Sequence, residues 1–219
     1  MSVAPTCPRC RRNLAAPGLM HSAWACAEHG EVAPLNPARP GTSEQIARIA
    51  ERSKVPVWLP WPLPVGWLVT GVMHAGDDRT GAVASVVALS GPNPLPGHAP
   101  AHMPTADLLL IAEQPAVGLG ASLAGLTEVD PGDSLSGALL DGCPQAKVYA
   151  AGHPAPLWCV PAESDRAAYV GEAHGDWLWM VMWPASAGAM VLEGLRLIDV
   201  RDPGHPLDVP TGAPSPHLT

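Results

Sequence analysis

The sequence predicts an α+β protein in which a small N-terminal zinc ribbon precedes a mostly antiparallel sheet packed with one or two helices. Short apolar segments bounded by turn residues recur along most of the chain, whereas long helical patterns are few. Cysteine and histidine are grouped in two close pairs before residue 30. With 22 Gly and 27 Pro among 219 residues, loops are expected to take a large share of the chain.

Composition divides the chain into four parts. Residues 1–33 hold the paired Cys and His residues and are predicted to form the ribbon. Residues 34–41, PLNPARPG, predict a stiff, extended linker because three of the eight residues are proline. The α+β domain is expected over residues 42–202, and the Pro-rich tail 203–219 is expected to be irregular.

The individual elements follow from local patterns. TSEQIARIAERS predicts a helix that Thr42 or Ser43 caps and that ends before Pro56. Two further helices are expected at Gly120–Leu126 and Ala187–Leu195. Apolar segments predict strands at Trp67–His74, Ala82–Leu89, Asp107–Glu113, Lys147–Ala151, Leu157–Val160, Ala167–Glu172 and Trp177–Trp183.

A zinc site is the one strong chemical signal. Cys7-Pro-Arg-Cys10 is followed, after 15 residues, by Cys26-Ala-Glu-His29. Zinc prefers four tetrahedral ligands from thiolate and imidazole, and a two-residue spacer lets one tight turn present two of them. Four protein ligands leave no open position, so the predicted zinc is structural. His21 is the alternative fourth ligand.

The competing interpretation is a redox dithiol of Cys7 and Cys10. Redox C-x-x-C motifs usually lie beside a βαβ unit, and no such pattern surrounds this pair. Gly30, directly after the second pair, suits the positive φ that closes a metal-binding turn. These points favour zinc.

Cysteine use and hydropathy point to the cytoplasm. No apolar run approaches the roughly 18 residues needed to span a bilayer, and the N-terminus lacks the apolar stretch of a signal peptide. Five cysteines, an odd number, are expected to stay reduced there rather than pair as disulfides. We therefore expect a cytoplasmic protein without a membrane partner.

Charge is unevenly distributed. Residues 1–54 carry seven basic and four acidic side chains, a net charge of +3, while residues 55–219 carry five basic and sixteen acidic ones, a net charge of −11. The acidic part would repel a phosphate backbone. Nucleic acid is therefore an unlikely partner except weakly through residues 1–54.

A glycine-rich segment, GLGASLAG at 118–125, follows a predicted strand. Such loops can cradle phosphate at a helix N-terminus. The dinucleotide fingerprint would need Gly where Leu123 stands. A tight turn into a short helix is the favoured interpretation.

Cys159 together with His153 or His174 could form a nucleophile and base, since a thiolate needs a neighbouring base. The apolar strand around Cys159 instead favours a buried, inert thiol. His98 and His102 are four residues apart, but the intervening proline prevents the helix that would align them as metal ligands.

Tryptophan replaces the absent Phe as the large packing residue. Residues 55–67, VPVWLPWPLPVGW, predict an extended edge segment because proline cannot donate a ladder hydrogen bond. Its Trp residues belong either to the core or to an aromatic groove for a Pro-rich peptide. We expect Trp67 in the core, Trp61 partly sealed and Trp58 facing a partner. Strand parity places three more on one face: Trp177, Trp179 and Trp183.

The blocks CPRC…CAEH, WPLPVGW and DWLW together resemble an uncharacterised actinobacterial family of conserved cytoplasmic proteins, a domain of unknown function with an N-terminal zinc ribbon. The resemblance covers nearly the whole chain and implies the architecture, but no activity. Zinc ribbons in general usually have Gly after the first C-x-x-C, where this chain has Arg11.

The sequence assigns no catalytic and no cofactor-binding residue, since G-x-S-x-G, Walker A and H-E-x-x-H motifs are all missing from it. The favoured function is a non-enzymatic zinc-binding protein, a regulatory or interaction module that docks a protein partner. The alternative is an enzyme with its site in the C-terminal α+β domain, using His153, Cys159 or the loop at Gly118–Gly120.

Overall fold

The computed structural model describes residues 4–19, 22–95, 105–140, 142–204 and 207–218. The α-helices are α1 Ser43–Ala50, α2 Leu119–Ala124 and α3 Gly132–Leu140, and 3-10 helices cover Ala185–Glu193 and Pro216–Leu218. The strands are β1 Ala25–Cys26, β2 Gly30–Glu31, β3 Trp58–Pro60, β4 Leu68–Asp77, β5 Gly81–Pro92, β6 Thr105–Glu113, β7 Ala146–Ala150, β8 His153–Val160, β9 Ala167–Ala173, β10 Asp176–Trp183 and β11 Arg196–Asp199.

Nine strands form one curled, mostly antiparallel sheet in the order β3-β11-β7-β8-β9-β10-β6-β5-β4, and β1 and β2 form a separate hairpin. The pairing of β11 with β7 is parallel. Curling brings the segment before β3 onto β5, where the Ser85 hydroxyl donates a hydrogen bond of 2.6 Å to the Pro56 carbonyl. The Lys54 N–H likewise bonds the Ala82 carbonyl at 2.9 Å.

Apolar side chains are buried on both faces of the central strands. Inside the curl, Trp58, Leu110 and Met180 belong to the larger core. On the outer face, Trp179 and Trp183 pack in a second core with residues of α2. Two buried faces explain why β10 reads as an uninterrupted apolar run rather than an alternating one.

Every predicted strand is present, with ends shifted by a few residues. The helices at α1 and α2 are confirmed, whereas the last predicted helix is a 3-10 helix, Ala185–Glu193. The pattern missed α3, because GDSLSGALL contains two glycines and two serines of low helix propensity. Residues 55–67 do form an edge, with β3 as the outermost strand of the described sheet.

The outer edge of β4, the last strand of the described sheet, is covered by irregular segments of the chain. In the Pro-rich segment 34–41, Arg39 exchanges backbone hydrogen bonds of 2.8 and 2.9 Å with Val72. In the tail, the Gly212 N–H bonds the Val69 carbonyl at 2.9 Å, and Leu218 is buried. Covering an edge in this way removes a site of unwanted strand pairing. No helix within the described ranges has the length and apolarity to cross a membrane.

Candidate metal centre

The first ligand pair lies in a tight turn. The Cys7 N–H bonds the Arg12 carbonyl at 2.8 Å, and the Arg11 N–H bonds the Cys7 carbonyl at 2.9 Å. Arg11 has a φ of 60°, in the left-handed region that favours glycine. Arginine therefore adopts here the conformation for which zinc ribbons usually use glycine.

The second pair is presented by the β1–β2 hairpin. Cys26 ends β1 and lies opposite Gly30, the first residue of β2, with His29 in the turn between them. Gly30 has a φ of 69°, so its predicted role in closing the turn is confirmed.

The four predicted ligands come together in space. The ligand atoms of Cys7, Cys10, Cys26 and His29 all lie within 4.8 Å of one another. Cys10 Sγ is 3.7 Å from Cys26 Sγ, and His29 Nδ1 is 3.6 Å from the sulfurs of both Cys7 and Cys26.

These separations match a tetrahedral ion. Zinc–sulfur bonds of about 2.3 Å and a zinc–nitrogen bond of about 2.05 Å would separate two sulfurs by about 3.8 Å, and a sulfur from a nitrogen by about 3.6 Å. The arrangement is therefore a possible metal site, although its geometry alone does not name the metal. His21, the alternative ligand, lies outside the described residues.

The protein environment shifts the pKa values of the two buried thiols, Cys7 and Cys26, in opposite directions. Burial raises the pKa of Cys7 to about 11. At Cys26, the backbone N–H groups of Glu28 and His29 lower the pKa to about 6. A bound cation would compensate the cost of ionising Cys7, because the thiolate is the form that binds metal.

Basic side chains surround the cluster. Arg12 forms a salt bridge of 3.0 Å with Glu28, which joins the two ligand-bearing turns. The Arg11 guanidinium lies under the cluster against the sheet, 3.8 Å from the Met73 sulfur. Burial lowers the pKa of Arg11, and the nearby Cys7 opposes this change.

The first turn is also docked on the sheet. Arg9 donates hydrogen bonds to the carbonyls of Ala116 and Val117. In return, the Ser122 hydroxyl donates to the Arg9 carbonyl at 3.1 Å. The Cys/His cluster thus lies directly beside the glycine-rich segment 118–125.

That segment forms the expected tight turn and short helix. Two N–H groups at the start of the helix are already hydrogen-bonded within the protein. Glu113, fully buried at the end of β6, accepts hydrogen bonds from the N–H groups of Leu119 and Gly120 at 2.7 and 3.1 Å. The Glu113 carboxyl group therefore already uses the N–H groups that a phosphate would need. Burial raises the pKa of Glu113 to about 8, against the lowering effect of these two bonds.

Sequence reasoning missed Glu113. The available signal was a single acidic residue at the end of the otherwise apolar strand TADLLLIAE. A carboxyl group in such a run requires hydrogen-bond donors, and the following glycine-rich turn provides them.

The alternative of a Cys159 nucleophile with His153 as its base is not assembled. Cys159 is exposed, so the expectation of a buried thiol was wrong. It lies opposite Tyr169, while His153 is six residues away at the other end of β8, about 20 Å along the strand. The structure instead brings His153 near His174, with ring centroids 6.2 Å apart. His98 and His102 lie outside the described residues.

The expectations for the Trp-rich edge segment are partly met. Trp67 is buried and Trp61 is half-buried, as predicted. The prediction that Trp58 faces a partner was wrong, because its side chain is only 1 % exposed. Curling of the sheet encloses Trp58 in the inner core, where its ring meets His174 edge-on at 5.6 Å.

Fold and site together define a protein of mostly curled antiparallel sheet with a three-cysteine, one-histidine cluster at its N-terminus. Within this class, the chain belongs to the family described as "Family of unknown function (DUF6758)", whose model matches residues 1–218. Neither a curated protein nor a solved structure matches the chain.

Proposed function

We propose that this protein is a non-enzymatic zinc protein of the cytoplasm, in which a structural Zn²⁺ holds an N-terminal ribbon that docks a protein partner. The observation that carries the proposal is the close approach of the ligand atoms of Cys7, Cys10, Cys26 and His29, all within 4.8 Å of one another. Three thiolates, one imidazole and no open position are typical of a structural zinc site.

Zinc explains the cluster better than redox chemistry does. All three cysteines are free thiols, and each lies close to ligand atoms of the other turn as well as its own. A dithiol would need only Cys7 and Cys10, and would leave the approach of His29 Nδ1 to both Cys7 and Cys26 unexplained. Free cysteines are typical of a reducing compartment, which supports the cytoplasm.

The ribbon has one attached side and one exposed end. The turn at Arg9 is fixed to the sheet, whereas Leu19, in the segment between the two ligand pairs, is fully exposed. In the proposed complex, Leu19 gives the partner an apolar contact at this exposed end. The net charge of +3 over residues 1–54 favours an acidic protein surface, with weak nucleic-acid binding as the lesser possibility.

Metal analysis tests the zinc. Protein purified without chelator under reducing conditions should contain about one zinc per chain. Cys26→Ser should lose the ion, because a serine hydroxyl is a poor zinc ligand. Cys143→Ser is the matched control, since Cys143 is exposed and outside the cluster. Wild-type protein without zinc, or zinc retained in Cys26→Ser, would contradict the proposal.

Partner docking is tested by cross-linking in native cytoplasm. Leu19→Asp should abolish the adducts formed by the wild-type chain. Val65→Asp provides a control, because Val65 is also almost fully exposed but belongs to a loop of the large sheet. Adducts that survive Leu19→Asp and disappear with Val65→Asp would place the partner elsewhere.

A further inference from the structure

A cleft of about 540 Å³ opens where β3, β11 and β7 meet. Its walls include Trp61, Tyr149, Arg196, Ile198 and Asp202. The volume is in the range of small-molecule sites. Neither the metal cluster nor the turns that carry it line this cleft.

Strand register places Arg196 between two aromatic residues. Arg196 lies opposite Tyr149 in the parallel pair of β11 and β7, and on its other side its carbonyl accepts the Trp61 N–H at 2.9 Å. Leu197 and Ala150 point into the core. Because side chains alternate along a strand, Arg196 and Tyr149 point outward.

The two aromatic residues flank β11, one directly after β3 and the other on β7. Two strand spacings, about 10 Å, separate the backbones at Trp61 and Tyr149. Tyr149 is 36 % exposed and Trp61 is half-buried, so both present surface to the cleft.

The charge around the cleft is unusual for this protein. Residues 55–219 contain only five basic side chains against sixteen acidic ones. Three of the five are at or beside the cleft: Arg196 on its floor, Lys147 with Nζ 5.1 Å from the Tyr149 ring centroid, and Arg201. Asp199, which also lines the cleft, is paired with Arg201 at 2.6 Å. Asp202 adds one exposed carboxylate.

We infer that this cleft binds a small planar aromatic molecule that carries an anionic group. The ring lies between Trp61 and Tyr149, and the anion meets the Arg196 guanidinium, with Lys147 adding positive charge. Guanidinium groups pair well with both phosphate and carboxylate. The ligand is therefore a nucleotide or an aromatic carboxylic acid, and its binding is independent of zinc.

Isothermal titration calorimetry on the full chain distinguishes a nucleotide from an aromatic carboxylic acid. AMP and indole-3-acetate are the complete probes, because each carries both an aromatic ring and an anionic group. Adenosine carries only the ring and inorganic phosphate only the anion, so they are the half ligands. We expect AMP or indole-3-acetate to bind, and the half ligands to bind at least about tenfold more weakly. The preferred complete probe identifies the source of the anion.

Variants locate the site. Arg196→Gln should weaken binding about tenfold or more, since it removes a charge-assisted contact. Arg48→Gln, an exposed arginine of α1 outside the cleft, should leave binding unchanged. Tyr149→Leu should also weaken binding, and gives a second test if Arg196→Gln does not fold, with thermal melts verifying the folded state.

Three results would overturn the inference. The first is that neither complete probe binds below about 10 mM. The second is that binding is the same in the wild-type chain and in folded Arg196→Gln. The third is that a basic Pro-rich peptide binds this cleft while AMP and indole-3-acetate do not, which would make the aromatic walls a peptide groove.

Discussion

Glu113→Gln is expected to change the pH dependence of stability, because Glu113 is a fully buried carboxyl with a raised pKa. Burial raises the pKa of Glu113 to about 8 in the folded protein, against 4.5 for an ordinary glutamate side chain. Between these two values the folded chain keeps a proton that the unfolded chain has lost. The folded state then binds more protons, so the free energy of unfolding falls as the pH rises.

The magnitude follows from the same shift. Each pKa unit corresponds to about 1.4 kcal/mol, so the free energy of unfolding should fall by roughly 5 kcal/mol, as an upper bound, from about pH 4.5 to pH 8. Glutamine cannot ionise and removes this slope. Its single oxygen keeps only one of the two N–H bonds that the carboxyl accepts, at a cost of about 1 kcal/mol. The variant should therefore be less stable than the wild type near pH 5 and more stable near pH 8.

Urea denaturation at pH 5, 6, 7 and 8, followed by circular dichroism, measures both stability curves. Glu51→Gln makes the same chemical change at an exposed carboxyl beside α1, and its curve should run parallel to the wild type. The quantity of interest is the difference between Glu113→Gln and wild type, because other titrating groups cancel in it. A difference that is the same at every pH would refute the assignment of a raised pKa to Glu113.

Two further predictions concern packing and are tested by thermal and urea melts. Trp58→Ala should lower the free energy of unfolding by about 3–5 kcal/mol, because the Trp58 ring is enclosed in the inner core. Trp61→Ala should lower it less, because the Trp61 ring is half-exposed. Equal losses in the two variants would contradict the described burial. Gly120→Ala should cost about 1–3 kcal/mol, because the added Cβ would lie 2.3 Å from Trp179 Cδ1. Gly137→Ala, where a Cβ meets nothing within 4 Å, should stabilise α3 by up to about 1 kcal/mol, so similar losses at both glycines would contradict the packing at Trp179.

The Cys/His cluster shows how much a local pattern can determine. The spacing of Cys7, Cys10, Cys26 and His29 was sufficient to predict that these four side chains lie together. Each pair needs only one short turn to present its two ligand atoms. The strands were predictable for the same reason, since alternation and bounding turn residues act within a few positions. Parity along β10 likewise predicted that Trp179 and Trp183 share a face.

Tertiary structure decided the features that depend on distant partners. Residues 55–67 could be recognised as an edge, but only the curling of the sheet buries Trp58 against segments far away in the chain. The glycine-rich turn could be recognised as a turn, but only the tertiary structure docks it on the first ligand turn, where the Ser122 hydroxyl donates to the distant Arg9 carbonyl. The cleft at Arg196 depends on a parallel pairing between β11 and β7, which are separated by three other strands in the sequence. The sequence by itself determined the elements and the ligand set because these depend on local geometry. Which of the other side chains become buried depended on the pairing of strands that are distant in the sequence, and no local pattern encodes the register of those pairs.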